Sequence, residues 1–256
     1  MAESILPKTF DDLSQPDLIR WVMAGFHRTL IHYGCWFRDV EHQLGMQRAS
    51  RIEAEAGNQS LGLVIRGLSS ILGFEIEDGI PKALKEMGKE QLLKLLEAVS
   101  INWLATDGVW FQTVEKHFGM EYAKKCNDTC WSRFSPYEAM KIKELLGLSD
   151  FPGLEGLKMA LGFRMLAKIN KQSIEDLDQN TFLFRMDECR IQSARKRNGA
   201  ENYPCRSAGI VEYSLFASAI DPRIQTQCVG CPSDEHPESW YCAWQFTIPP
   251  AENSAA

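Results

Sequence analysis

No apolar stretch in this chain approaches the roughly 20 residues needed to cross a bilayer. The opening segment, MAESILPKTFDDLSQ, lacks the basic and apolar regions of a signal peptide, so a cytoplasmic location is expected. Also missing are the Gly-x-Gly-x-x-Gly fingerprint, the P-loop and the Gly-x-Ser-x-Gly elbow, which argues against nucleotide binding and serine hydrolysis. Positive charge is not in excess: the net charge is −6, which speaks against generic nucleic-acid binding. Histidines number five, and His27, His32, His42 and His117 share no metal-ligand spacing. Glu41 and Glu115 have no histidine three residues on, which excludes the di-iron site of helical bundles.

What the chain does have is ordinary globular composition, with 45% apolar and 24% charged residues over 256 positions. That is enough for one large domain or two small ones. Charge is uneven. Residues 185–206 carry six basic side chains against three acidic ones, whereas Arg223 alone is basic beyond Ser207. The eight cysteines, in a reducing compartment, point to metal binding, reactive thiols or packing rather than disulfides.

The N-terminal half repeats itself. GCWFRDVEHQLGM at 34–46 recurs as GVWFQTVEKHFGM at 108–120, seven of thirteen positions being identical at an offset of 74. The offset holds without a gap to Leu72-Gly73 and Leu146-Gly147. A duplicated helical hairpin follows, because a helix pair unable to bury its own apolar stripe gains by packing on its twin. The first helix is predicted from Ser14, with Pro16 in its first turn, to Leu44, and its counterpart from Lys89 to Gly119. Phe37, Val40, Glu41 and Leu44 share one helix face, as do Phe111, Val114, Glu115 and Phe118.

Ser135-Pro136-Tyr137-Glu138 has capping-box spacing and predicts a further helix start, with Gly147 as the stop. Residues 149–153 punctuate the chain. A helical region with internal repeat (about 18–74 and 92–148) is thus expected over 1–150, a second domain over 151–250 and a fraying tail at 251–256. Within the second domain, one helix is expected over 154–170, a strand at 181–186, a short basic helix at 189–197 and a helix at 211–220. Strands at 224–229 and 240–248 would flank a cysteine-bearing turn.

Cys205, Cys228, Cys231 and Cys242 read C-x22-C-x2-C-x10-C. A C-x-x-C pair brings two thiolates within reach of one ion, and two more complete the tetrahedral sulfur shell that zinc accepts. An iron–sulfur cluster and four buried thiols without an ion are the alternatives. Cys189, among Arg185, Arg190 and Arg195, is a candidate nucleophile, since cationic neighbours and a helix N-terminus lower a thiol pKa. It is equally readable as a replacement for one of those four ligands or as a packing residue. Arg190, Gln192 and Arg195 are candidates to receive a carboxylate, or else form a solvated helix face. Glu115, with Asp107 two turns before it and near Trp110, is a candidate for proton transfer, or for simple pairing with an arginine. His236, in the loop between Cys231 and Cys242, is a candidate to reach the proposed ion, or else part of a solvated acidic loop.

The stretch from Phe184 to Phe246 contains FRMDECRIQSARKR, then YPC, CVGCP and WYCAWQF. It resembles an uncharacterised family of prokaryotic cytosolic proteins with this C-terminal signature. More distantly it resembles small-molecule-binding domains of the 4-vinyl reductase type, and a group named as aminothiazoline-carboxylate hydrolases. The second resemblance implies zinc held by a cysteine, a glutamate and two further cysteines, with Cys205, Cys228, Cys231 and Cys242 at those places. Cys242-Ala-Trp244 replaces the usual C-x-F, and the turn from 231 to 242 is longer.

The fold expected is therefore α+β: a duplicated helical half, then a 4-vinyl reductase-like domain with a four-cysteine metal site. The function expected is binding of a small anionic or aromatic molecule, with aromatic walls and Arg185, Arg190, Gln192, Arg195 and Trp110 as ligand contacts. Hydrolysis of a small ring or amide by Cys189, Glu115 or Asp107, and iron–sulfur redox chemistry, are the competing readings. Neither nucleic acid nor membrane is an expected partner; a homodimer stays open.

Overall fold

The structure, a computed structural model, describes residues 9–199, 201–232 and 234–250. The expected tail at 251–256 lies outside them. The chain is α+β, mostly helical with two small antiparallel sheets. It divides into two compact units, Met1–Gln59 and Ser60–Ala256.

The first unit holds α1 (Gln15–Leu44) and the start of α2 (Met46–Leu72). Ser14 caps α1, its Oγ accepting from the Asp17 backbone N–H at 3.3 Å, with Pro16 in the first turn. Gly45 ends the helix at φ 81, a backbone region that only glycine adopts without strain. The Tyr33 hydroxyl donates to Glu53 Oε1 at 3.0 Å and so ties α1 to α2.

The second unit opens, after the rest of α2, with the hairpin β1 (Ile76–Glu77) and β2 (Ile80–Pro81). Its two turn residues, Asp78 and Gly79, both have positive φ, as a twist-matched two-residue turn demands. Then come α3 (Lys82–Lys85), α4 (Lys89–Phe118), α5 (Met120–Leu146), α6 (Gly153–Phe163) and α7 (Met165–Ile169). They are followed by β3 (Lys171–Asp178), β4 (Thr181–Glu188), α8 (Arg190–Arg197), α9 (Arg206–Ile220), β5 (Gln225–Gly230) and β6 (Cys242–Thr247). Every bound of α4 and α5 falls 74 positions after that of α1 and α2. Gly119, at φ 85, ends α4 as Gly45 ends α1.

The larger sheet has the order β3-β4-β6-β5, antiparallel throughout. On β4, Phe182, Phe184 and Met186 point inward, opposite Phe246, Trp244 and Cys242 of β6. α9 lays Tyr213, Phe216, Ala217 and Ile220 on that face, and α5 and α6 close the core with Ala139, Ile142, Leu157 and Leu161. Burying each large side chain here stabilises the fold by about 1.5–3 kcal/mol. A second cluster joins Leu104, Trp131 and Leu166, with Trp103 stacked on Phe134 at 5.3 Å.

Three expectations need correction. α5 runs unbroken through Pro136, so Ser135 starts no helix; Glu138 instead accepts from Arg164 Nε at 3.0 Å and from the Met165 backbone N–H at 3.1 Å. The single helix expected over 154–170 is two, because Arg164 leaves helical geometry (ψ 148). It turns inward to reach Glu138 and also Glu212, whose Oε1 lies 2.6 Å from its Nη2. β3 was missed: its sequence, KQSIEDLD, is largely exposed, the polar character that protects a sheet edge.

Candidate functional site

A cavity of about 720 Å³ lies inside the second unit, walled by α4, α5, α8, α9 and the β4–β6 strands. The wall from α4 is a single helical face: Ile101, Leu104, Asp107, Gly108, Phe111 and Glu115 recur at three- and four-residue steps. α8 supplies the rim with Arg190, Arg195 and Arg197, the first and last of them exposed. α9 and β6 supply the deepest part: Gly209, Glu212, Tyr213 and Trp244.

Aromatic rings give the cavity its shape. Phe111 meets Tyr203 edge-on at 5.0 Å, and Trp244 stacks on Tyr213 at 4.8 Å and 28°. Gly209 is what lets the indole lie so close, since a Cβ there would stand 2.5 Å from Trp244 Cζ2. The indole Nε1–H is buried and meets no acceptor among the described residues. A donor left so costs about 1–3 kcal/mol.

Cys189, Cys205, Cys231 and Cys242 line the inner end, and Cys228 packs in the neighbouring core. Cys189 precedes α8 and Cys205 precedes α9, at the two N-cap positions. Cys231 follows β5, and Cys228 and Cys242 sit on adjacent strands, Cys228 opposite Trp244. Cys231 Sγ lies 3.9 Å from Cys205 Sγ, and Cys228 and Cys242 pack against the same core cluster as Cys231. Among the described residues, no group of three or more His, Cys, Asp or Glu side chains is gathered tightly enough to hold an ion as it stands. The thiol of Cys205 is held below its ordinary pKa by its contact with Cys231, while that contact, the one with Cys242 and burial push Cys231 well up.

Cys189, Glu115, Asp107, Arg190 and Arg195 all line the cavity. The cationic surroundings expected to activate Cys189 do not decide its state: burial pushes its thiol up to about 12, against two weaker backbone hydrogen bonds. Glu115 pairs with Arg195 at 3.6 Å. Asp107 is desolvated, which raises its carboxyl pKa. Gln192 and Arg185 do not line the cavity. The Gln192 amide is spent on the backbone of Tyr203, donating to its carbonyl at 2.8 Å and accepting from its N–H at 3.0 Å. Arg185 forms an ion pair with Glu175 on the neighbouring strand. Trp110 is exposed and lies on another face of α4. His236 stacks on Trp240 at 5.3 Å, its Nδ1 2.9 Å from the Pro237 carbonyl.

Glu212 was not anticipated. It is the lone acid on the buried face of α9, alongside Ala208, Gly209, Tyr213 and Phe216. Burial raises its carboxyl pKa, opposed by the Arg164 guanidinium. A single charge on an otherwise apolar helical stripe is the signal that would have marked it. Asn127 and Tyr203 were likewise missed; the Tyr203 hydroxyl donates to Asn127 Oδ1 at 2.9 Å.

The model of a family of unknown function (DUF6125) matches residues 85–248, and the chain belongs to that family. The match takes in every wall of the cavity and all five thiols. No curated protein and no solved structure matches the chain.

Proposed function

We propose that this member of a family of unknown function binds a small aromatic or anionic molecule in the cavity, and that zinc held by Cys205, Cys228, Cys231 and Cys242 staples its inner end. The observation that carries the reading is the cavity itself: about 720 Å³, aromatic-walled and polar at a few points, within the size and character of small-molecule sites. The sulfur set suits the ion. A Zn–S bond of about 2.3 Å puts tetrahedral sulfur–sulfur edges at about 3.8 Å, close to the 3.9 Å between Cys205 and Cys231. Binding the ion would draw the four sulfurs closer together than they stand among the described residues. Four sulfur ligands leave no open position, so the ion's contribution is to fold the turn. The likeness of the cysteine pattern to 4-vinyl reductase-type domains supports the same reading.

A second reading, hydrolysis of a small ring or amide, draws on one observation: Cys189, Glu115 and Asp107 line a single cavity. Cys189→Ser and Glu115→Gln would then abolish turnover of the substrate, and unchanged turnover in both would end that reading.

Metal analysis and a visible spectrum of anaerobically purified full chain test the first. One equivalent of zinc and no colour are expected. Absorption near roughly 400 nm would identify an iron–sulfur cluster instead, and the absence of both metals would overturn the sulfur-held ion.

A further inference from the structure

Three carboxylates line the cavity, and two are already matched. Glu115 pairs with Arg195, and Glu212 pairs with Arg164. Asp107 has neither a hydrogen bond nor an ion pair among the described residues, and the Tyr203 hydroxyl nearby is committed to Asn127. Leu104 and Phe111 flank it on the same face of α4, and Glu212, Tyr203 and Cys130 lie close enough to feel its charge. The rim arginines do not compensate it. Arg190 and Arg197 are exposed to solvent, where a charge contributes little, and Arg195 is further engaged with the Glu201 carbonyl at 2.6 Å. On the sheet side, Trp244 is 1% exposed and its Nε1–H has no acceptor. That donor is closed off from the cavity as well as from solvent, so what the cavity presents is one unmatched acceptor among aromatic faces.

We infer that the ligand is an aromatic compound carrying a protonated amine or an N–H group, anchored by Asp107. The inference rests on the small-molecule reading of the cavity and not on the zinc. Desolvation, which raises the Asp107 carboxyl pKa, is the condition under which a charge-assisted hydrogen bond counts most. A cation arriving there regains what the carboxylate has lost, whereas an anion would meet it with repulsion. Cation–π attraction from Trp131 and Phe111 adds to the preference.

Calorimetric titration of the full chain tests this with three probes: tyramine, its neutral alcohol analogue tyrosol and its anionic analogue 3-(4-hydroxyphenyl)propionate. Tyramine is expected to bind at least about tenfold more tightly than either of the others. Asp107→Asn should erase its advantage over tyrosol while leaving tyrosol affinity in place. Circular dichroism establishes that the variant is folded, and the order of the three probes on the parent chain decides the matter even where it is not. Tightest binding by the propionate, or an unchanged preference in Asp107→Asn, overturns the cationic ligand and leaves the binding cavity standing. Failure of all three probes to bind overturns both.

Discussion

At the scale of the residue, Gly209 is where one atom decides a wall of the cavity. Gly209→Ala would drive a methyl group into the Trp244 ring, at 2.5 Å from Cζ2, and the indole is fixed by its stacking on Tyr213. Overpacking of this kind costs about 1–3 kcal/mol; urea unfolding is expected to show that loss together with a shifted Trp emission. Asp221 is the second such residue. Its side chain is wholly buried, accepts from the Gly153 N–H at 2.9 Å at the start of α6, and is clasped by Arg223. That clasp holds its pKa down to about 2, from 3.8. A lowered folded-state pKa stabilises above the unfolded value, and the stabilisation disappears as pH falls through about 2. Asp221→Asn should therefore cost about 2 kcal/mol at neutral pH. Its stability curve should lie parallel to the parent's above pH 5 and converge with it in stronger acid.

Among the elements, α5, α7 and α9 meet at one buried cation. Arg164 spans Glu138 and Glu212, the three side chains being 2%, 7% and 11% exposed. Arg164→Met would leave two carboxylates facing each other without a counter-charge, and removal of one member of such a group costs about 3–5 kcal/mol. Replacing all three with apolar residues of similar volume should recover most of that loss, which equilibrium unfolding of the single and triple variants measures.

The same junction marks where the sequence is hard to read. The limits of α1 and α4 were legible because Ser14, Gly45 and Gly119 act locally on the backbone. The break at Arg164 was not, since no local signal stops a helix there; a carboxylate 26 residues earlier draws the arginine inward. Pro136 misled for the complementary reason. Its cost of about 3 kcal/mol in a helix is offset by the packing of Ala139 and Ile142 beneath it, which only the folded chain provides. Asp107, Glu115, Arg190, Arg195 and Cys189 come from separate segments and line one cavity. Gln192 and Arg185 do not line it, and composition cannot tell a residue that faces a cavity from one that holds the backbone behind it.

For the molecule as a whole, the five thiols stand where β4, β5, β6, α8 and α9 begin or end, so an ion there would tie together segments far apart in sequence. Treating zinc-loaded protein with a strong chelator is expected to lower its melting temperature by roughly 10 °C or more, with added zinc restoring it. Cys231→Ser should melt low with or without chelator. An unchanged melting temperature on removal of the ion would mean that the thiols pack the core unaided. The two hairpins, α1–α2 and α4–α5, agree step for step, although the second alone builds the cavity described here. Adding one residue to α4 would swing all that follows by roughly 100° about its axis, carrying Glu115 off the wall that Asp107 keeps. The lettering of that helix can therefore be rewritten far more freely than the number of letters between Gly88 and Gly119 can be altered.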